Sequence, residues 1–367
     1  MKTKQKIRNL KNLRNLRNLK NLISLASLIS LISLTTATAQ VSNTRVDVTD
    51  INQVTVTYNL IACYPVNTVL LYSPDKCTWY EAVHATGALL SQSTGTNKEI
   101  VWNKDEDNVG DGKFYFKVEP LLSSLPPEAN AVLINGVKWA DKNLASGGWF
   151  VANDYDYGAL YQWGRQADGH ECRNSPCFMP ASAPACGTDA STQLSAGDLD
   201  ANGQPSAASG AIGKFIRQNT GDYDWRTTRD DALWNSGTES SPIKNTAADP
   251  CPTGWRVPTL TELNKLAEIT NVDVVWTTNY KSSGINGCVV KDKATSASIF
   301  LPAGGFRMNV NGLISDINGA GYYWSSSIWF IPGFNHADFL RFVSNEFSPL
   351  AGVGKSTGNS IRCVKLP

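Results

Sequence analysis

Apolar and polar positions alternate with a period of two through the first third of the chain. Val46-Asp-Val-Thr49 and Val54-Thr-Val-Thr-Tyr-Asn-Leu60 carry the pattern most clearly, and a period of two with many β-branched residues is that of half-buried strands. Shorter runs follow at Thr68–Tyr72, Cys77–Tyr80, Lys98–Trp102 and Lys113–Val118, separated by turn residues at Ser73-Pro-Asp75, Gly95-Thr-Asn97 and Asn108–Gly112. This spacing predicts an all-β sandwich over residues 40–120. Residues 121–130 are rich in Ser and Pro and read as a linker. From residue 131 the pattern mixes. Strands are expected at Val132–Ile134, Val137–Ala140, Ala297–Leu301, Tyr322–Ser326, Phe339–Val343 and Asn359–Val364, and a helix where Leu260, Leu263, Leu266 and Ala267 fall at helical spacing. The second part, 131–367, is therefore expected to be α+β.

The helix is launched by Asp249-Pro-Cys-Pro-Thr-Gly-Trp-Arg-Val-Pro-Thr259. Three prolines fix φ, Gly254 supplies freedom between them, and Thr259 with Glu262 forms a capping box. This segment, with Gly321-Tyr-Tyr-Trp-Ser-Ser-Ser327 and Ser360-Ile-Arg-Cys-Val-Lys365, resembles the Fibrobacter succinogenes major paralogous domain. Gly136–Ala140, Tyr157–Arg165, Asp224–Arg226 with Leu233-Trp234, and Ile299–Arg307 extend the likeness in family order. That family is abundant in secreted proteins of Bacteroidetes and Fibrobacteres. The resemblance implies a fold similar to C-type lectins and formylglycine-generating enzymes, and an immunoglobulin-like module often precedes it. It implies no common reaction.

Charge changes the picture. The formal net charge is +1, but residues 1–39 hold eight basic residues and no acid. Taking those eight from 33 leaves 25 against 32 acidic residues, a net of −7. Such a chain is a poor match for nucleic acid or an anionic membrane. The basic start precedes a Leu/Ile/Ser run from Leu22 to Leu34 and then Ala37-Thr-Ala39, so 1–39 reads as a signal peptide with a mature start near Gln40. The run is shorter than the ~20 residues a membrane span needs. An exported protein is expected, extracellular, at the cell surface or in the periplasm, with no membrane span after cleavage.

Eight cysteines in an exported chain point to disulfides before metal sites. Cys63 is expected to pair with Cys77 and Cys251 with Cys363, leaving three possible pairings among Cys172, Cys177, Cys186 and Cys288. Residues 168–210 read as a polar surface loop held by disulfides. Within it, Asp198-Leu-Asp-Ala-Asn-Gly203 matches the first half of a calcium loop, with Asp198, Asp200 and Asn202 as oxygen donors. Ser209 stands where the bidentate glutamate belongs. Calcium is the one cofactor the sequence suggests. Glu-Pro-Asn and Gln-Pro-Asp, the sugar-binding triplets of calcium-dependent lectins, are absent.

A ligand surface is expected on the apolar stretch Ile328–His336. Pro332-Gly333 marks a turn, which places Trp329, Phe330, Phe334 and Asn335 on a loop, beside a second long loop from Ser344 to Ser360. These observations favour a non-catalytic binding or adhesion protein recognising an extracellular glycan or protein. One alternative is an oxidoreductase related to formylglycine-generating enzymes, using Cys288 with a cysteine of 168–210. Another is a structural surface protein with no small ligand.

Overall fold

A computed structural model describes residues 39–47, 53–62, 67–89, 95–110, 112–121, 128–180, 185–221, 223–332 and 334–366. The expected signal peptide, apart from Ala39, lies outside the described residues, as do Cys63 and residues 122–127 of the expected linker. Among the described residues the chain is predominantly antiparallel β.

Seven strands precede the linker: β1 (Ala39–Asp47), β2 (Gln53–Ala62), β3 (Asn67–Ser73), β4 (Tyr80–Glu81), β5 (Ala85–Gly87), β6 (Gly95–Asn103) and β7 (Tyr115–Leu121). They form two sheets, ordered β1-β2-β6-β5 and β4-β3-β7. Alternation along β2 buries Val54, Val56, Tyr58 and Leu60, while Thr55, Thr57 and Asn59 stay partly open. With Leu70, Ile100, Trp102 and Val118 from the other strands they make one apolar cluster. The expected Cys63–Cys77 bond is not formed, because Cys77 is a free, exposed thiol. Its amide donates to Asp75 Oδ1 at 2.8 Å, as does that of Thr78 at 2.8 Å, and this Asx turn fixes Cys77 on an exposed bend after β3.

After the linker come β8 (Ala131–Ile134), β9 (Val137–Ala140), β10 (Tyr161–Gln162), β11 (Trp255–Arg256), helix α1 (Leu260–Lys265), β12 (Val272–Thr277), β13 (Gly287–Asp292), β14 (Ser298–Pro302), β15 (Phe306–Arg307), β16 (Ile314–Ser315), β17 (Gly321–Ile331), β18 (Phe334–Val343), β19 (Glu346–Gly354), β20 (Gly358–Asn359) and β21 (Val364–Lys365). The sheets are β11-β21-β9-β8, β10-β20-β15-β16, β12-β13-β14 and β17-β18-β19. Helix is a small element here: α1 has six residues.

The proline-rich segment organises this part. Asp249 Oδ1 accepts from the Cys251 amide and Oδ2 from the Val257 amide, both at 2.9 Å, and Lys244 Nζ donates to the Trp255 carbonyl at 2.7 Å. Gly254 takes a φ of 83° and its carbonyl accepts from Leu366. β11 then pairs with β21, and Cys251 is bonded to Cys363. Thr259 caps α1 reciprocally with Glu262, whose carboxylate also takes two bonds from Arg256, at 2.6 and 2.7 Å. The segment joins two cores. Cys251, Trp255, Val257 and Cys363 belong to one, and Leu263, Leu266 and Val364 to the other.

The expected surface loop at 168–210 is instead partly woven into the first core. Asp168, His170, Glu171, Cys172, Cys177 and Phe178 are buried. A buried segment with few ladders must satisfy its carbonyls by other means, and arginines do this. Arg165 donates to Lys214 O, Arg217 to Ala185 O and Thr188 O, Arg226 to Gly203 O, and Arg307 to Ser175 O and Gly312 O, at 2.7–3.0 Å. Cys177 pairs with Cys186, and Cys172 is also disulfide-bonded. Cys288 joins none of the three pairings left open. It is a free thiol on β13, enclosed by the second core.

Candidate functional site

The loop expected at Ile328–His336 is a hairpin. Trp329 pairs with His336, Phe330 with Asn335 and Ile331 with Phe334. Strand propensity explains the difference, since five apolar residues run unbroken from Ile328 to Pro332 and aromatics favour a pleated surface. The second expected loop is also replaced, by β19, which pairs with β18 from His336↔Gly354 to Val343↔Glu346. Asn335 is buried, not displayed. The side chains of Phe330 and Phe334 lie outside the described residues.

Paired residues share a sheet face, so Trp329, His336 and Gly354 stand together across β17, β18 and β19. The Trp329 and His336 rings are parallel within 12°, with centroids 5.7 Å apart, and Tyr223 packs on His336 at 5.8 Å. All three rings are half-buried. Two glycines make room for them. A methyl group on Gly352 would lie 1.6 Å from Trp329 Cε3, and one on Gly354 would lie 2.6 Å from Tyr223 Cβ. Tyr223 itself holds a φ of 58°, a left-handed conformation uncommon for a residue with a side chain. The result is an aromatic row laid on bare backbone.

Asp338 lies on the same strand, two positions from His336. Bulges interrupt both of its neighbours at this level: β17 between Trp324 and Ile328, β19 opposite Ala337 to Phe339. Ser325 Oγ donates to the Asp338 carbonyl at 2.8 Å. Burial pushes the Asp338 carboxyl up to about 6, nearby Glu239 adds to the rise, and the Gly352 amide opposes it. Glu239 is exposed and held in place, accepting from Ser327 Oγ and from the Thr261 amide at 3.1 Å. Burial also lowers the pKa of His336.

Other candidates resolve differently. Asp168, His170 and Glu171 form the one group of three acidic, His or Cys side chains with metal-ligand spacing among the described residues. Their donors are already committed. His170 Nε2 accepts from the Gln162 amide at 3.0 Å, which leaves the proton on Nδ1 to be donated to Asp168 Oδ1 at 2.8 Å. Asp168 Oδ2 takes Arg165. Glu171 accepts from Ser146 Oγ and from the Gly147 and Gly169 amides at 2.7–3.0 Å. Burial alone would raise the Asp168 pKa, but Arg165 and His170 hold it well below the carboxylate range. Burial and Arg165 keep His170 neutral. These residues do not fit a metal and act as a clasp.

The calcium loop is likewise occupied with its own backbone. Asp198 caps a short 3-10 turn by accepting from Ser195, Asp200 Oδ1 accepts from the amides of Asn202 and Gln204, and Asn202 is exposed. Nor, among the described residues, is Cys288 brought to a free cysteine of 168–210. Burial pushes the Cys288 thiol up to about 12, and Cys172, Cys177 and Cys186 are all in disulfides.

No family model, curated protein or solved structure matches the chain. Sequence reasoning found Trp329 but missed Tyr223, Glu239, His336 and Asp338. The first two are far away along the chain and carry no local signal. Asp338 did carry one: an acid between Ala337 and Phe339 is out of place in a strand covered on both sides.

Proposed function

We propose that this chain is an exported, non-catalytic binding or adhesion protein, and that the Trp329–His336–Tyr223 row is its contact surface for an extracellular glycan. The C-terminal part is read as a paralogous domain with the C-type-lectin-like fold, and residues 40–120 as an immunoglobulin-like module that carries it. The observation that bears most weight is the parallel Trp329–His336 pair on Gly352 and Gly354. Aromatic rings left half-open at a fixed position offer large contact area at low entropic cost, and their flat faces suit the apolar faces of sugar rings. Export is supported by disulfides, which persist in oxidising compartments. Among the described residues no helix is long and apolar enough to cross a membrane.

An array of plant and bacterial polysaccharides printed beside extracellular matrix proteins, probed with the chain from Gln40, tests this reading. Saturable signal on one class of glycan is expected. Signal confined to the printed proteins, or none on either, would overturn the glycan assignment.

A further inference from the structure

The Cys177–Cys186 disulfide lies beside a buried charge that the fold leaves without a counter-charge. Arg307, on β15, is 3% exposed, and its guanidinium donates to Gly312 O at 2.8 Å and to Ser175 O at 2.7 Å. Ser175 Oγ also accepts from it, at 2.5 Å, and the Phe215 ring lies 4.3 Å away. All of these partners are neutral. They satisfy its hydrogens but not its charge, and a buried unpaired charge is costly. Among the described residues the charged group acting on Arg307 is Arg217, of the same sign. What the guanidinium does reach is sulfur: Nη2 stands 3.8 Å from Cys177 Sγ and 3.7 Å from Cys186 Sγ. The two cysteines differ in access. Cys177 is 4% exposed and packs on Gly312, where a methyl group would lie 2.3 Å from its Sγ. Cys186 is exposed. Cys251 and Cys363, by contrast, are both buried.

We infer that Cys177–Cys186 is a thiol-exchange site, attacked at Cys186 by a low-molecular-weight thiolate, with Cys177 leaving beside Arg307. The incoming sulfur bonds to Cys186 Sγ as the Cys177–Cys186 bond breaks, and the bonding pair departs on Cys177 Sγ. One thiolate enters and one is released, so the step consumes no oxidant or reductant. Its products are a mixed disulfide at Cys186 and a thiolate at Cys177. A leaving thiolate of lower pKa departs faster, and access decides which sulfur is attacked. Arg307 provides the first and the exposure of Cys186 the second. Exchange opens a loop of only nine residues. Arg217 keeps its bonds to Ala185 O and Thr188 O, and Arg307 its bond to Ser175 O, so the fold persists through the step.

Glutathione is the probe, applied to the chain from Gln40 carrying Cys77→Ser, so that the exposed free thiol takes no part. Samples are quenched in acid, alkylated in urea and mapped as peptides by mass. Cys177–Cys186 should open at least about tenfold faster than Cys251–Cys363, with glutathione on Cys186 and the alkylated thiol at Cys177. Arg307→Gln keeps a donor but removes the charge, and should slow the opening about tenfold. Cys186→Ser leaves the Cys177 thiol beside Arg307 and decides the matter if Arg307→Gln does not fold. Its ultraviolet thiolate absorbance, by difference from the protein with both Cys177→Ser and Cys186→Ser, should titrate below the ordinary value of about 8.5. Equal opening of the two disulfides, glutathione on Cys177, an unchanged rate in Arg307→Gln, or a Cys177 thiol titrating at or above about 8.5 would each overturn the assignment. None of these readouts involves the Trp329 row.

Discussion

Asp168→Asn should destabilise the folded chain by about 3–5 kcal/mol, the range for breaking a buried ion pair from one side. The change leaves the Arg165 guanidinium, which is fully buried, without its carboxylate, and sets an amide NH2 donor where one of the two oxygens accepted from Arg165 or His170. Asp230→Asn, at a half-open carboxylate 4.0 Å from Arg226, is the control and should shift stability by less than about 0.5 kcal/mol. Urea unfolding of both variants measures the difference. The pH dependence has a defined sign. The folded pKa of Asp168 is depressed, so its contribution is complete above the unfolded value of about 3.9 and is lost as pH falls below that. The gap between wild type and Asp168→Asn should therefore narrow only in acid. A gap under about 1 kcal/mol at neutral pH would mean that the clasp is not what orders the segment from Asp168 to Phe178.

Breaking the Cys251–Cys363 bond is the second large effect. The bond closes 112 residues, for which the chain-entropy model gives about 4–5 kcal/mol, against about 2–3 kcal/mol for Cys177–Cys186, which closes nine. Cys251→Ala with Cys363→Ala should lower the melting temperature by roughly 10 °C or more, and Cys177→Ala with Cys186→Ala by clearly less. Equal shifts, or a smaller one for the long loop, would show that β11–β21 pairing holds the chain ends without help. The two changes lie in the same cluster, so native packing is lost as well as the cross-link.

How much of this was legible in the chain depends on the range over which each feature is determined. Alternation along Val54–Leu60 and the capping box at Thr259 and Glu262 are local, and the structure forms both where the pattern puts them. The hairpin at Trp329 was misread because Pro-Gly marks a turn but not its length, and the strands keep pairing as far as Ile331 and Phe334. Residues 168–178 were misread because their polarity suggested solvent. Their partners, Arg165, Gln162 and Ser146, come from other segments and make burial of Asp168, His170 and Glu171 affordable only once the fold exists. Cys77 failed for a local reason that was visible: Asp75 precedes it by two residues and turns it outward. The aromatic row needed Gly352 and Gly354 opposite the right strand, and register is a property of the sheet, not of any one segment.

Trp329→Ser separates a contact surface from a core residue in one protein. The melting temperature and the affinity for the polysaccharide that gives the strongest array signal are measured side by side. If the row is the binding face, melting should fall by no more than a few degrees while binding weakens about thirtyfold or more, as for a residue at the centre of an interface. A fall of roughly 10 °C or more with affinity unchanged would place Trp329 among the packing residues and contradict the proposed surface.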